Sequence, residues 1–252
     1  MRLKINLETK KNSILDFNYQ YYLASSLYNI IRNVDLDFAN KLHEKRTFKF
    51  FTFSKLFIKN REILEEGIKI LDGKVYLYLS SPLEEFIRKI IYALFESRKI
   101  KIKDLSFYVQ QISLLESSKI DNEVIFKTLS PICLRTKKEI NGVLKDYDLL
   151  PSDKEFKEKL IKNLKKKYES FYKTQCKYDI ENIKILSWKS KRIKIKNLYF
   201  RCSEMIFKIK GDKELLKFGY ECGFGEKNSM GFGMVGIGGN INGNQNKAKK
   251  DI

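Results

Sequence analysis

The sequence predicts an α+β protein built from two tandem ferredoxin-like (RRM-like) domains with a C-terminal glycine-rich loop. The first half reads strand, helix, strand, strand, helix, strand, which is the order of the split βαβ unit. From residue 124 the second half repeats that order less sharply. The stretch GFGEKNSMGFG, residues 223–233, places Gly223, Gly225, Gly231 and Gly233 within eleven positions of a 252-residue chain that has 13 glycines. Glycine admits positive φ and the close approach of another backbone at a cost in entropy, so the cluster marks a shaped loop that something else touches. The rival architecture is one α+β domain with a long insertion.

The elements follow in chain order. LKINL (Leu3–Leu7) alternates as a strand does. Asn18 is placed to cap a helix from Tyr19 to about Arg32, whose apolar stripe is Leu23, Leu27, Ile30 and Ile31. FKFFTF (Phe48–Phe53) reads as an aromatic strand, Asp72-Gly73 as a turn, and VYLYL (Val75–Leu79) as the next strand. SPLE then signals a helix start: Ser81 as N-cap, Pro82 at the first helical position and Glu84 completing a capping box. Leu83, Phe86, Ile87, Ile90, Ile91 and Leu94 form the buried stripe of that helix, and strands follow over 99–115. The polar run ESSKIDNE (Glu116–Glu123) is the expected boundary, giving domains over 1–118 and 119–239 and a polar tail over 240–252.

In the second half VIFKTL (Val124–Leu129) is a strand. Ser152 and Glu155 read as a second capping box, opening a helix to about Lys173. Its apolar face is Phe156, Leu160, Ile161, Leu164, Tyr168 and Phe171; Lys157, Lys162, Lys165 and Lys166 make a solvated outer face. Two strands follow over 183–196 and 198–210, and RIKIK puts Arg192, Lys194 and Lys196 on one side. The helix DKELLKFGYE leads into the glycine loop, and MGFGMVGI (Met230–Ile237) is the expected last strand.

Composition narrows the function classes. Hydrophobic residues make up 43% of the chain, as in ordinary globular proteins, and the net charge is +19. Such a surplus attracts a polyanion over long range. A lysine-, isoleucine- and asparagine-rich composition also arises with no nucleic-acid partner. Aromatic residues at 13% suit stacking on bases. No stretch has signal-peptide or membrane-spanning character, so a cytoplasmic protein with no membrane partner is expected. The four cysteines form no CxxC pair, and the single histidine, His43, precludes a metal site built from histidines.

The glycine loop matches neither GxGxxG nor a P-loop. Gly231, Phe232, Gly233 and Val235 fit the RNA-recognition strand pattern, while Met230, Met234 and Ile237 replace its basic and aromatic positions. Two readings of the loop remain: exposed amides forming an anion nest with Lys227, or a glycine-rich hairpin packed on a helix. A second constellation surrounds His43. Tyr28 lies fifteen residues before it, one position off the Leu23–Leu27–Ile31 stripe, and Lys49 lies six residues after it.

Together the Tyr28/His43/Lys49 spacing, the FTFS that follows, the SPLEEFIRK helix start and GFGEKNSMGFG resemble one family. It is the CRISPR-associated endoribonuclease that processes precursor CRISPR RNA, within the repeat-associated mysterious protein superfamily. The resemblance runs from Met1 to about Gly239. It implies tandem ferredoxin-like domains and metal-independent cleavage of CRISPR repeat RNA with no cofactor. The RNA's own 2′-OH attacks the adjacent phosphate, giving a 2′,3′-cyclic phosphate and a 5′-OH.

On this resemblance His43, Tyr28 and Lys49 are the catalytic set. His43 moves a proton, Tyr28 is the complementary proton-transfer or orienting group, and Lys49 stabilises the crowded negative charge. Lys45, Arg46 and Lys227, with Gly223, Gly225, Gly231 and Gly233, are the RNA-binding candidates. The glycines let the loop approach an RNA backbone or the helix beneath it. A CRISPR effector complex and a second copy of the chain are the further partners. The alternative is a non-catalytic RNA-binding subunit of an effector complex.

Overall fold

Strand β1 (Arg2–Glu8) buries Leu3, Ile5 and Leu7 and turns Lys4 and Asn6 to the other face, as its alternation requires. The computed structural model describes residues 1–43, 48–140 and 142–238. Lys45, Arg46 and the 240–252 tail lie outside the described residues. The first half continues with β2 (Ser13–Leu15), α1 (Gln20–Val34), α2 (Leu36–His43), β3 (Thr52–Phe53), β4 (Phe57–Ile58), β5 (Arg61–Ile63), β6 (Ile68–Ile70), β7 (Lys74–Ser80), α3 (Glu84–Ser97), β8 (Lys99–Ile102) and β9 (Leu105–Leu115). The main sheet runs β3-β7-β1-β9-β8, with β4 also on β7, and all its pairings are antiparallel. A small sheet, β2-β6-β5, is added beside it.

The second half comprises β10 (Glu123–Thr128), β11 (Arg135–Ile140), β12 (Val143–Asp148), α4 (Phe156–Tyr172), β13 (Ile180–Ile195), β14 (Leu198–Gly211), α5 (Lys213–Cys222) and β15 (Val235–Ile237). Its sheet is ordered β13-β14-β10-β15, again antiparallel, and β11 and β12 pair as a separate hairpin. That hairpin is absent from the sequence expectation, because most of its residues are exposed on both faces and leave no period-two pattern.

Each half has its own core. In the first, Leu23, Leu27 and Ile31 of α1 and Phe86, Ile90 and Leu94 of α3 join Leu3, Ile5, Leu77 and Leu79 of the sheet. In the second, Phe156, Leu160 and Leu164 of α4 and Leu215 and Leu216 of α5 join Phe126, Phe207 and Ile209. Each such side chain contributes about 1.5–3 kcal/mol by leaving water, which is why the helical stripes hold.

The expected caps are not the ones used. Asn18 does not cap α1: its N–H donates to Asp16 (2.6 Å), Tyr19 precedes the helix, and the Tyr19 hydroxyl accepts from the Leu56 N–H (2.9 Å). Ser81 accepts from the Leu83 N–H (3.0 Å) and donates to the Phe50 carbonyl (2.7 Å). Its own N–H goes to Met1 rather than to Glu84, so no capping box forms. At α4 the box is also absent; Asp153 accepts from Leu150 (2.7 Å) and its carbonyl from Phe156 (3.0 Å).

Two expected strands are shorter than their patterns. Of Phe48–Phe53 only Thr52 and Phe53 pair with β7, because Phe50 takes φ +50° and turns its ring onto Phe171 of α4. Of Met230–Ile237 only the last three residues are strand, and Asn228–Met230 form a 3-10 turn. At the other hairpin, Arg192 and Lys194 flank the Tyr199 ring at 4.0 and 5.7 Å. Lys196 leaves that face at the turn, with φ +53°, and reaches Tyr21.

Candidate active site at the glycine-rich clasp

The glycine loop is a clasp between the two halves. All four glycines have positive φ, from +71° to +87°. All four are also buried. The Thr52 hydroxyl donates to the Phe232 carbonyl (2.8 Å), and the Gln20 side-chain amide donates to the Gly231 carbonyl. A β-carbon on Gly231 would strike the Phe53 ring, and one on Gly225 would press on the Cys133 carbonyl. These positions therefore require glycine.

Of the two readings of the loop, an anion nest of exposed amides and a glycine-rich hairpin packed on a helix, the burial of all four glycines favours the second. The amides of Gly223, Phe224, Glu226, Gly231 and Gly233 donate to the carbonyls of Gly219, Gly233, Cys133, Asn228 and Pro131. The loop packs on helix and sheet with these five amides engaged within the protein. Its exposed residue is Lys227, whose ammonium lies 4.7 Å from the Phe200 ring.

Tyr28 and Lys49 both reach this clasp. Tyr28 is only 8% exposed, so it sits inside the buried face of α1 and not at its edge. Its ring meets Phe51 edge-on at 5.8 Å, and Phe51 stacks on Phe86 at 4.3 Å. Its hydroxyl lies near the Ser229 side chain. Burial pushes the Tyr28 phenol above its ordinary range, and the nearby Ser229 side chain opposes that shift. Lys49 lines a cavity of about 260 Å³ with Phe48, Glu226, Lys227, Asn228 and Ser229. Ser229 is thus common to Tyr28 and to the Lys49 cavity. Residues 48–51 are not strand, so strand alternation does not place Lys49. His43 ends α2, and its side chain, like Lys45 and Arg46, is outside the described part of the structure.

Sequence reasoning missed Lys167. It follows Leu160 and Leu164 on the buried stripe of α4 and is 2% exposed. Its ammonium donates to the carbonyls of Gly223 and Gly225 (3.1 Å to the latter) and to Asn228 Oδ1 (3.0 Å). Desolvation lowers its pKa. The available signal was a lysine at a core position of an otherwise apolar helical stripe.

A larger groove of about 1090 Å³ runs between the halves. Lys59 and Arg61 line one wall and Lys191 and Arg192 the other, and Phe57, stacked on Tyr76 at 4.9 Å, adds an aromatic surface. Lys55 in the same groove is paired with Glu204. No group of three His, Cys, Asp or Glu side chains able to hold a metal occurs among the described residues.

Solved structures share this α+β fold. One such structure, described as "CRISPR associated protein Cas6", is 48% identical, covers 95% of this chain and 99% of its own, and superposes with a TM-score of 0.84. A second, described as "An RAMP protein binding different RNA substrates", is 37% identical with a TM-score of 0.87, covering 94% of this chain and 99% of its own. Residues 14–113 match the family described as "CRISPR-associated protein Cas6, N-terminal", and residues 114–237 match "CRISPR associated protein Cas6, C-terminal". The "CRISPR-associated endoribonuclease Cas6 1" of Methanocaldococcus jannaschii is 50% identical over 236 residues, 93% of this chain and 92% of that relative. The "Putative CRISPR-associated endoribonuclease-like protein Cas6" of Pyrococcus furiosus is 38% identical over 94% of this chain and 98% of its own. The chain belongs to the Cas6 family.

Proposed function

We propose that this protein is a metal-independent endoribonuclease that cuts CRISPR repeat RNA into guide RNAs. The observation that carries the reading is the convergence of Tyr28 and Lys49 on Ser229, from a helix and a loop of one half onto the clasp of the other. The family and its named endoribonuclease relatives support the same substrate.

The reaction is an internal transfer. A base accepts the proton of the 2′-OH, the 2′-oxygen bonds to phosphorus, the bond to the 5′-oxygen breaks, and that oxygen takes up a proton. His43 and Tyr28 share the two proton transfers, and Lys49 stabilises the charge on the phosphorane. The products are a 2′,3′-cyclic phosphate and a 5′-OH, and no cofactor enters the scheme. Lys227, Lys45 and Arg46 hold the backbone near the cut. Gly223, Gly225, Gly231 and Gly233 shape the surface that the RNA meets. The cations of the groove continue the phosphate track.

The halves are read as tandem ferredoxin-like domains over 1–118 and 119–239, supported by the strand orders β3-β7-β1-β9 and β13-β14-β10-β15. A cytoplasmic location, hand-over to an effector complex and a homodimer belong to the same proposal. A second reading, an RNA-binding subunit that does not cut, is favoured by one observation. Tyr28 is buried.

One experiment separates the two. The protein is incubated with repeat RNA in EDTA, beside His43→Ala and a substrate carrying a single 2′-deoxy at the cut site. A single cut per repeat, lost with the mutant and with the deoxy substrate while both still bind, supports the nuclease. Binding without cutting makes the protein an RNA-binding subunit, and an active His43→Ala moves the chemistry off the histidine.

A further inference from the structure

Burying an ammonium group is costly unless its donors are all satisfied, and a lysine in a helix core is therefore uncommon. Lys167 meets that condition with three oxygens, and all three belong to the glycine loop: the carbonyls of Gly223 and Gly225 and Oδ1 of Asn228. An ammonium has three donors and so matches the three acceptors, whereas an amide or hydroxyl in its place would leave at least one unmet.

Asn228 passes the constraint on. With Oδ1 held by Lys167, its Nδ2 donates to the carbonyls of Phe224 (3.1 Å) and Phe232 (3.0 Å), one on each arm of the loop. The next residue is Ser229, which lies near the Tyr28 hydroxyl. The two arms and the turn between them are thus tied to one atom of α4.

We propose that Lys167 is the positioning residue of this site: its ammonium group draws Gly223, Gly225 and Asn228 together and so sets Ser229 against Tyr28 and the Lys49 cavity. The inference deepens the nuclease reading and rests on it for the effect on cutting. Lys167 touches no substrate. It acts through Asn228 and Ser229.

The test uses the full chain with Lys167→Met, which fills the same space without donors. Single-turnover cutting, measured at saturating protein so that any change in RNA affinity drops out, falls by about 100-fold, the scale of an ångström-size misplacement. Amide exchange of Met230 and Gly231, whose N–H groups donate to Lys227 and Asn228, speeds up without change in β1 and β7. Adding Ser229→Ala to Lys167→Met slows cutting no further than Ser229→Ala alone, as expected for residues acting in one chain.

A folded Lys167→Met that cuts at the wild-type rate overturns the proposal, and so do multiplying losses in the double variant. If Lys167→Met does not fold, Asn228→Ala breaks the far end of the same tie, and unchanged cutting there overturns it equally. If the wild type binds repeat RNA but never cuts, the nuclease reading fails. The exchange rates of Met230 and Gly231 in Lys167→Met then decide the clamp by themselves: faster exchange sustains it and unchanged exchange ends it.

Discussion

The Tyr28 hydroxyl of α1 lies near Ser229 at the tip of the glycine loop, bringing together residues from opposite halves of the chain. Burial holds this phenol protonated beyond the ordinary tyrosine range. A neutral phenol is no base, so in the proposed reaction Tyr28 donates or orients and the basic role is left to His43.

Tyr28→Phe keeps the ring on Phe51 and removes the hydroxyl. RNA affinity should persist while single-turnover cutting falls about 10²–10⁴-fold, the usual worth of a positioned proton donor. Equal rates for the two proteins would leave Tyr28 a packing residue.

The charge of +19 and the cationic groove predict a steep salt response. For a single strand the logarithmic slope is about 0.7 per phosphate that the protein neutralises. Arg192→Ala and Lys227→Ala should each flatten the slope by about that amount in a filter-binding titration. A flat response in the wild type would remove phosphate neutralisation as the main source of affinity.

Gly231→Val tests the clasp. Gly231 has φ +82°, faces the Phe53 ring and accepts from Gln20 through its carbonyl. The backbone conformation alone costs a valine about 1–3 kcal/mol, and the clash adds to it. Thermal unfolding should therefore shift down clearly, together with any loss of RNA binding. A full-strength fold with weakened binding would return the loop to the role of a direct RNA contact.

Alkaline stability should report Tyr19. Burial pushes its phenol up to about 12 from an ordinary 10, the Leu56 N–H opposing. A raised folded pKa contributes stability that is whole below about pH 10 and is lost as pH rises toward 12. Two pK units correspond to about 2–3 kcal/mol. Denaturant titrations between pH 9 and 12 should show wild type losing stability more steeply than Tyr19→Phe; parallel curves would contradict the assignment.

The elements that a linear pattern encodes were legible. The stripes of α1, α3 and α4, the alternation of β1 and β7 and the turn at Gly73 are present because periodic burial is a local property of the chain. The caps at Asn18 and Ser152 were misread, since a capping residue is chosen by whichever acceptor the tertiary packing brings near. Phe48–Phe51 looked like strand, yet a single positive φ at Phe50 sends successive rings into two different cores.

The sequence by itself determined an α+β protein of two halves, its strong positive charge, a glycine-dependent loop and the family to which the chain belongs. Spacing brought Tyr28 and Lys49 to notice. Only the tertiary structure decided that the glycines are a buried clasp with the amides of Gly223, Gly231 and Gly233 engaged, that Ser229 is where Tyr28 and the Lys49 cavity meet, and that Lys167 holds the loop. The physical reason is that hydrogen-bond satisfaction is a property of three-dimensional neighbours. A lysine on an apolar stripe declares its partners only when another part of the chain brings three oxygens to it.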